Sequence, residues 1–319
     1  MNKKVLAIVG ISIALVAGGF ALFGGEKNKN TAFAAKEMVK VSDRKGEIEV
    51  PKNPEKVVVL DYSSLDIIDE MDKESTVVGL PKGGLPEYLD EYKGDNYKDV
   101  GSLKEFNMET INELKPDLII IEGRQEKKYD ELSKIAPTLF LGGNGNNHFE
   151  SLENNVKTLG AVFGMEDFVE NKIKDINTRI ENINAKTSNM DEKALITMVY
   201  DGEINAFGKE SRFSMIHKEF GFKEADENIT TENHGQTVSN EYIANTNPGY
   251  LFVVDKGVVA SSKQEPAKGI IENELVKRTD AYKNGKIVYL DTKAWYVGGP
   301  GLQSTDVMLT EIENSIKGI

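Results

Sequence analysis

Short apolar runs and helix-like segments alternate along most of the chain. The apolar runs, which have the length of buried strands, cover 56–60, 76–80, 117–121 and 138–141. The segments with helical spacing of apolar residues cover 64–71, 108–114 and 129–135. A polar turn at 43–46 within 37–50 predicts a hairpin before the first run. Strands that alternate with helices predict a mostly parallel sheet with helices on both faces.

The middle of the chain has a different pattern. Residues 150–186 contain few helix breakers, and Ile173, Ile176, Ile180 and Ile183 recur at three- and four-residue spacing. This spacing predicts one long amphipathic helix. The α/β pattern restarts at 194–200 and continues to the C-terminus.

The predicted fold is therefore two α/β lobes with mostly parallel sheets joined by one long rigid helix. We place an N-terminal lobe at 36–155, the connecting helix at 156–190 and a C-terminal lobe at 191–319. A stiff connector predicts small motions of the lobes relative to each other.

An internal repeat supports two similar lobes. Four residues recur at a constant offset of 132 positions: Glu109, Ile111, Pro116 and Arg124 correspond to Glu241, Ile243, Pro248 and Lys256. Each copy reads as a helix, a proline turn, an apolar strand and then a cationic residue. Open α/β sheets bind ligands beyond the carboxyl ends of their strands, so each lobe is expected to direct one cation into a shared cleft.

The N-terminus has the features of an export segment. Lys3 and Lys4 precede a nearly continuous apolar run at 5–23, and Ala32 and Ala34 provide a small-x-small cleavage pattern. The apolar run is also long enough to act as an uncleaved membrane anchor. Residues 1–35 are thus predicted to be a signal or anchor segment, and the protein to be extracytoplasmic, either attached to the membrane or secreted.

Composition excludes several classes of function. The formal net charge is −13, and because residues 1–34 hold four Lys and one Glu, the remainder carries −16. Nucleic acid would be repelled by so acidic a body, so an anionic ligand needs a local basic pocket. The chain contains no Cys and only three His, which disfavours zinc sites, disulfides and cysteine nucleophiles. No nucleophile, phosphate-loop or zinc-protease motif is present, so the sequence does not predict an enzyme.

Several further residues are candidates for ligand binding. Arg212 follows a plausible N-cap at Ser211, and Trp295 and Tyr296 precede a glycine-rich turn before the last helix. An isolated Arg is most often solvated, and aromatic residues are most often part of the core. His234 lies in a loop rich in helix breakers, where ligands for metals are often placed. His148 and His217 have no such context and are interpreted as structural.

Motifs along residues 37–319 resemble those of the solute-binding proteins with a rigid interdomain helix, specifically the Gram-positive binders of petrobactin and catecholate siderophores. The motifs include VPKNPEKVVVLD at 50–61, LKPDLIIIEGRQ at 114–125, FGKESRF at 207–213 and WYVGGPGL at 295–302. Together they are specific, whereas any one alone is weak. The resemblance implies a protein that binds its ligand without changing it and that has no resident cofactor, because the ferric iron is carried as a siderophore complex.

The resemblance also implies roles for residues. Arg124, Arg212 and position 256 would form a basic floor facing the catecholate oxygens. His234 and Tyr296 would complete the iron coordination of chelates that leave positions open. Glu109 and Glu241 would dock onto Arg pockets of an ABC permease.

This chain departs from the family at two points. Lys256 stands where Arg is usual and lacks the planar guanidinium that matches clustered oxygens. The lipid-attached Cys that usually follows the signal segment is absent.

The sequence thus favours the extracytoplasmic binding component of an ABC importer, a monomer whose cargo is a ferric catecholate siderophore. Haem, a corrinoid, or a ferric hydroxamate or citrate chelate are alternative cargoes. A secreted α/β enzyme and a surface adhesion protein are alternatives from other classes, since a fold does not fix a function.

Overall fold

A computed structural model describes residues 37–144, 146–229, 235–259 and 266–318. The predicted export segment at 1–35, with its cleavage pattern, lies outside these residues. Within the described part of the chain, none of the helices combines the length and the apolar character needed to cross a bilayer.

Strands and helices alternate as the sequence predicts. The strands are β1 (Met38–Asp43), β2 (Gly46–Pro51), β3 (Val57–Val59), β4 (Val77–Leu80), β5 (Lys98–Asp99), β6 (Leu118–Ile121), β7 (Thr138–Phe140), β8 (Lys193–Tyr200), β9 (Glu203–Phe207), β10 (Lys223–Glu224), β11 (Gln236–Val238), β12 (Tyr250–Asp255) and β13 (Ile287–Leu290). The α-helices are α1 (Tyr62–Glu70), α2 (Met108–Glu113), α3 (Tyr129–Leu132), α4 (His148–Phe163), α5 (Glu166–Thr187), α6 (Met215–Lys218), α7 (Asn240–Thr246), α8 (Ala267–Ile271), α9 (Asp280–Lys283) and α10 (Leu302–Ser315). Short 3-10 helices cover Glu74–Thr76, Glu87–Lys93, Gly123–Lys128, Lys256–Val258 and Val276–Arg278, and a π-helix covers Lys293–Gly298.

The N-terminal sheet is parallel throughout and has the strand order β5-β4-β3-β6-β7. Its central strands β3 and β6 consist of buried Val, Leu and Ile residues, as expected for strands covered on both faces. The antiparallel hairpin of β1 and β2 forms a separate sheet, and its turn falls at Arg44 and Lys45. The predicted hairpin is therefore confirmed.

The C-terminal sheet repeats this core and adds an antiparallel edge. Strands β8, β12 and β13 are parallel neighbours, whereas β9 pairs antiparallel with β8 and β11 pairs antiparallel with β9. The short strand β10 pairs with β8 in parallel. The predicted class of two α/β lobes with mostly parallel sheets is thus confirmed.

The offset of 132 residues has a structural counterpart. Strands β6 and β12 begin at positions related by that offset, and each is the second strand from one edge of its sheet. Each is also followed by a 3-10 helix, which contains Arg124 in the first lobe and begins with Lys256 in the second. The repeated sequence therefore encodes a repeated supersecondary unit that ends in a cation.

A long connecting helix is present, but the predicted extent of 150–186 as one helix is wrong. Helix α4 ends at Phe163, and the 22-residue helix α5 begins at Glu166. Gly164 takes the left-handed conformation with φ of 65° and terminates α4. Glu166 and Asp167 then provide the acidic first turn that favours a helix start.

Helix α10 connects the two lobes. It follows the second sheet in sequence and packs against α1 of the first lobe as well as against α5. Arg179 on α5 holds it through Nε, which donates to Glu313 Oε1 at 2.8 Å. One hydrophobic cluster accordingly includes residues of both sheets and of α4, α5 and α10. The predicted boundaries of the lobes at 155 and 191 stay a prediction.

Candidate ligand-binding site

Arg124 lies beyond the carboxyl end of β6, as the sequence predicts. Its Nη1 donates to Glu122 Oε1 at 2.8 Å, and the Arg124 side chain is 38% exposed while that of Glu122 is only 14% exposed. Burial raises the pKa of the Glu122 carboxyl, Arg124 opposes this rise, and the nearby Asp61 carboxylate adds to it. The cation of the first lobe is therefore paired with a carboxylate that is itself poorly solvated.

Arg212 lies against Tyr296. Its Nη2 donates to the Tyr296 carbonyl oxygen at 3.1 Å, and its guanidinium carbon is 4.1 Å from the centre of the Tyr296 ring. Arg212 Nε is buried and has no hydrogen-bond partner among the residues that the structure describes. A buried donor without a partner is costly, and an oxygen-rich ligand would satisfy it.

Lys256 lies near the same aromatic ring. Its Nζ is 5.5 Å from the centre of the Tyr296 ring and 4.2 Å from that of Tyr200. Tyr200 ends β8, and β8 is in parallel register with β12 with Val199 opposite Asp255. The register therefore brings Tyr200 beside Lys256.

The three predicted cations are linked in pairs. Burial lowers the pKa of Arg212, Tyr296 opposes this effect, and the positive charge of Arg124 lowers the pKa further. Arg212 and Lys256 share Tyr296 as a neighbour. One cation of the N-terminal lobe and two of the C-terminal lobe thus concentrate positive charge within an acidic protein.

Polar contacts between the lobes frame this cluster. Asn146, between β7 and α4, donates through Nδ2 to the carbonyl oxygen of Glu210, and Ser214 Oγ donates to the Asn146 carbonyl oxygen at 2.8 Å. Glu210 and Ser214 flank Arg212 in sequence. The segment that carries Arg212 is therefore attached to the N-terminal lobe at the edge of the cleft.

The loop after Tyr296 is held by Asp66 of α1. Asp66 Oδ1 and Oδ2 accept the backbone N–H groups of Gln303 at 2.7 Å and Ser304 at 2.9 Å, at the start of α10. A Cβ at Gly301 would overlap Asp66 Oδ2, so only glycine allows this approach. Burial raises the pKa of Asp66 to about 7, and the hydrogen bonds from Ser304 and Gln303 oppose that rise. The N-terminal lobe thereby positions the loop that follows the π-helix of Tyr296.

Trp295 does not join the cluster. It is 5% exposed and belongs to the hydrophobic core, and its Nε1 donates to Glu311 Oε2 at 2.7 Å. The π-helix places consecutive residues 295 and 296 on different sides, so that Tyr296 alone is half-buried beside the cations. The expectation that both aromatic residues line the cleft is therefore met only by Tyr296.

The histidines fall into two groups. His234, a predicted ligand, lies outside the described residues. His148 Nε2 lies 3.1 Å from Thr305 Oγ1, and burial lowers the pKa of His148 to about 4. His217 Nδ1 lies 2.9 Å from the Phe222 carbonyl oxygen. These contacts agree with structural roles for both. Across the described residues, no three or more His, Cys, Asp or Glu side chains are grouped to hold a metal ion.

Glu109 and Glu241 occupy equivalent positions in the two lobes. Both are exposed and lie in the first turns of α2 and α7. Each helix has a side-chain N-cap, from Asn107 in the first lobe and from Ser239 in the second. The two carboxylates are thus presented to solvent in matching local settings.

Two site residues were missed by sequence reasoning. Tyr200 ends a strand and looks like an ordinary core aromatic until the register of β8 and β12 is known. Glu122 directly follows an apolar strand and precedes Arg124 by two residues, which is a signal that could have suggested an internal partner for that cation.

Comparisons with known proteins agree with this architecture. The family model described as periplasmic binding protein matches residues 57–294. The petrobactin-binding protein YclQ of Bacillus subtilis is 43% identical over 319 residues, which is 99% of this chain and 100% of that protein. The ferric-anguibactin-binding protein FatB of Vibrio anguillarum is 31% identical over 86% of this chain and 85% of that protein.

Solved structures give the same result. The crystal structure of YclQ matches with a TM-score of 0.84 and covers 89% of this chain and 100% of that chain. The periplasmic catecholate-siderophore binding protein VctP of Vibrio cholerae matches with a TM-score of 0.81 at 38% identity, covering 87% of this chain and 100% of that chain.

Proposed function

This chain belongs to the periplasmic binding protein family, and from that premise we propose that it is the extracytoplasmic binding component of an ABC importer. It acts as a monomer that binds a ferric catecholate siderophore and delivers it, chemically unchanged, to a membrane permease. The iron is cargo within the ligand and is not a resident cofactor. The names of the similar proteins, which bind petrobactin, ferric anguibactin and catecholate siderophores, support this class of ligand.

One observation carries the proposal: Arg212 and Lys256 of the C-terminal lobe both lie against Tyr296, and the positive charge of Arg124 in the N-terminal lobe acts on Arg212. A ferric tris(catecholate) complex is an anion with clustered oxygens. Guanidinium groups donate forked hydrogen bonds to such oxygens, and Lys256 contributes a point charge. The buried, unpartnered Nε of Arg212 provides a donor that a catecholate oxygen would accept.

Aromatic residues fit the same ligand. Tyr296 and Tyr200 lie beside the cations, and their rings can pack against flat catechol rings while the cations neutralise the charge. With chelates that leave iron positions open, we propose that the Tyr296 phenolate oxygen and His234 bind the iron directly.

Delivery to a permease is assigned to Glu109 and Glu241. They are exposed on matching helices of the two lobes, so a permease with two similar halves could bind one carboxylate with each half.

Equilibrium titration of the wild-type protein tests the ligand class. We expect a ferric catecholate complex to bind at least roughly tenfold more tightly than haem, cobalamin, ferric hydroxamate or ferric citrate, a factor equivalent to about 1.4 kcal/mol. Binding should weaken as salt increases, because exposed parts of the charge cluster are screened. Tighter binding of haem or cobalamin would overturn the assignment, and chemical conversion of the ligand would indicate an enzyme instead.

A further inference from the structure

Arg44 lies in the turn of the β1–β2 hairpin and is held in place although it is exposed. Its backbone N–H donates to the Phe140 carbonyl oxygen at 3.0 Å, and Asp43 Oδ2 accepts the Phe140 N–H at 2.9 Å. Its guanidinium carbon lies 4.4 Å from the centre of the Phe140 ring, and Nη1 donates to the Gly143 carbonyl oxygen at 3.2 Å. These contacts fix a long side chain that would otherwise be mobile.

The guanidinium of Arg44 lies at the carboxyl ends of β6 and β7. Phe140 is in register with Ile121, the last residue of β6. A Cβ added to Gly123 would be 3.4 Å from Arg44 Nη1, and Gly123 directly precedes Arg124. Arg44 is therefore next to the residue that carries the first-lobe cation.

Arg44 also lies near the C-terminal lobe. Gly143 accepts the hydrogen bond from Arg44 and lies close to Pro300. A Cβ atom built on Gly143 would be 3.7 Å from Pro300 Cδ. Pro300 belongs to the loop that follows Tyr296. Asn146, three residues after Gly143, contacts the segment of Arg212. Arg44 thus lies on the cleft rim between the first-lobe cation and both second-lobe segments.

Within the described part of the chain, Arg44 has no salt-bridge partner. Among residues 37–144, 146–229, 235–259 and 266–318, no Asp or Glu lies within the 4.0 Å salt-bridge distance of its guanidinium. Arg124, in contrast, is paired with Glu122 at 2.8 Å. Arg44 uses one N–H group on Gly143, so further donors of its fork remain for a ligand.

We propose that Arg44 is a fourth cationic contact for the ligand and selects complexes with high negative charge. The inference rests on the proposed function. Arg44 would donate to an oxyanion at the periphery of the ferric complex, while Arg124, Arg212 and Lys256 contact oxygens nearer the iron. A rim cation of this kind raises the association rate and strengthens the dependence of binding on salt.

The test compares Arg44→Gln with Lys45→Gln. Lys45 lies in the same turn, is exposed and stacks on Tyr129 with its Nζ 4.4 Å from the ring centre, so both changes remove one positive charge from the hairpin. The probe is a hexadentate ferric tris(catecholate) complex, titrated at about 0.05 M and about 0.5 M salt. We expect Arg44→Gln to weaken binding about tenfold at low salt and much less at high salt, whereas Lys45→Gln changes it less than about twofold.

A purely structural role of Arg44 gives a different result. It predicts a lower thermal midpoint and a loss of affinity that is equal at both salt concentrations, and Arg44→Lys would then behave like Arg44→Gln. We expect Arg44→Lys to recover part of the low-salt affinity. Equal effects of Arg44→Gln and Lys45→Gln, or no effect of Arg44→Gln, would overturn the inference.

Failure of this inference can be distinguished from failure of the proposed function. If the wild type binds the complex and Arg124→Ala weakens binding while Arg44→Gln does not, only the role of Arg44 is refuted. If the wild type does not bind the complex, the proposed function itself fails.

Discussion

The three cations of the proposed cleft have different partners in the absence of a ligand. Arg124 pairs with Glu122, whereas Arg212 and Lys256 contact aromatic rings. An anionic ligand must therefore compete with Glu122 for Arg124, and it would also be repelled by the Glu122 carboxylate. In the proposed binding mode, an ionised Glu122 opposes binding of the anion.

Replacing Glu122 with Gln tests this role. We expect Glu122→Gln to bind a ferric catecholate roughly three- to tenfold more tightly at neutral pH, because Arg124 is then free to bind the ligand. Isothermal titration calorimetry measures the change. Glu126→Gln, an exposed position in the same 3-10 helix, is the matched control and should leave affinity unchanged.

The same variant has a defined effect on pH dependence. Burial raises the pKa of Glu122 above its ordinary 4.5, and a bound anion would raise it further, so binding favours the protonated carboxyl. Wild-type affinity for the ferric catecholate should fall as pH rises through the pKa of Glu122. The ratio of the Glu122→Gln affinity to the wild-type affinity should therefore grow over that pH interval. A constant ratio of affinities would show that Glu122 does not titrate in the cleft.

Neighbouring aromatic residues show the limit of sequence reasoning at this scale. Trp295 and Tyr296 are adjacent and equally plausible as cleft residues, but Trp295 is buried with its indole bonded to Glu311. Which of them faces the cations depends on the π-helix and on α10 packing behind it. A local pattern does not contain that tertiary information.

At the scale of elements, the repeat was the most informative sequence signal. The offset of 132 residues predicted matching helices, strands and cations. Strands β6 and β12 occupy equivalent positions in their two sheets, and each is followed by a 3-10 helix that contains the predicted cation. Tyr200 was missed because its proximity to Lys256 follows from the register of β8 against β12. Register is set by the packing of whole strands.

The break between α4 and α5 has a signal in the sequence. Gly164 followed by Met165, Glu166 and Asp167 combines a helix stop with an acidic helix start. The predicted helix began too early in the chain. The regular isoleucine spacing on which it was based lies entirely within α5, at Ile173, Ile176, Ile180 and Ile183.

The matching first turns of α2 and α7 lead to a prediction about transport. We expect Glu109→Ala and Glu241→Ala, alone and together, to lower iron uptake by cells about tenfold or more while ligand affinity stays unchanged, since interface charges act on association with the permease. Glu113→Ala, exposed on the same helix as Glu109, should retain uptake. Normal uptake in the double variant would refute a docking role for the two carboxylates.

At the scale of the molecule, sequence alone was sufficient for the fold class, and the place of the ligand cleft stays a prediction. Alternating elements predicted two α/β lobes, and the rule that ligands bind at carboxyl ends of strands located the cations. The geometry between lobes was not predictable, because it depends on contacts far apart in sequence, such as Asp66 with the start of α10.

The charge distribution of the whole chain also explains why the site must be local. With a net charge of −13, most of the surface repels an anionic complex. In the proposed site, Arg44, Arg124, Arg212 and Lys256 provide the local positive charge that an anionic complex needs. Specificity and ligand position therefore follow from one cluster.

A crystal structure of the protein with a bound ferric tris(catecholate) complex tests this account most directly. We expect ligand oxygens within about 3.2 Å of donor nitrogens of Arg124, Arg212 and Lys256, with Arg124 released from Glu122. A complex bound elsewhere, with Arg124 still paired to Glu122 and with Arg212 Nε contacting no ligand atom, would contradict it.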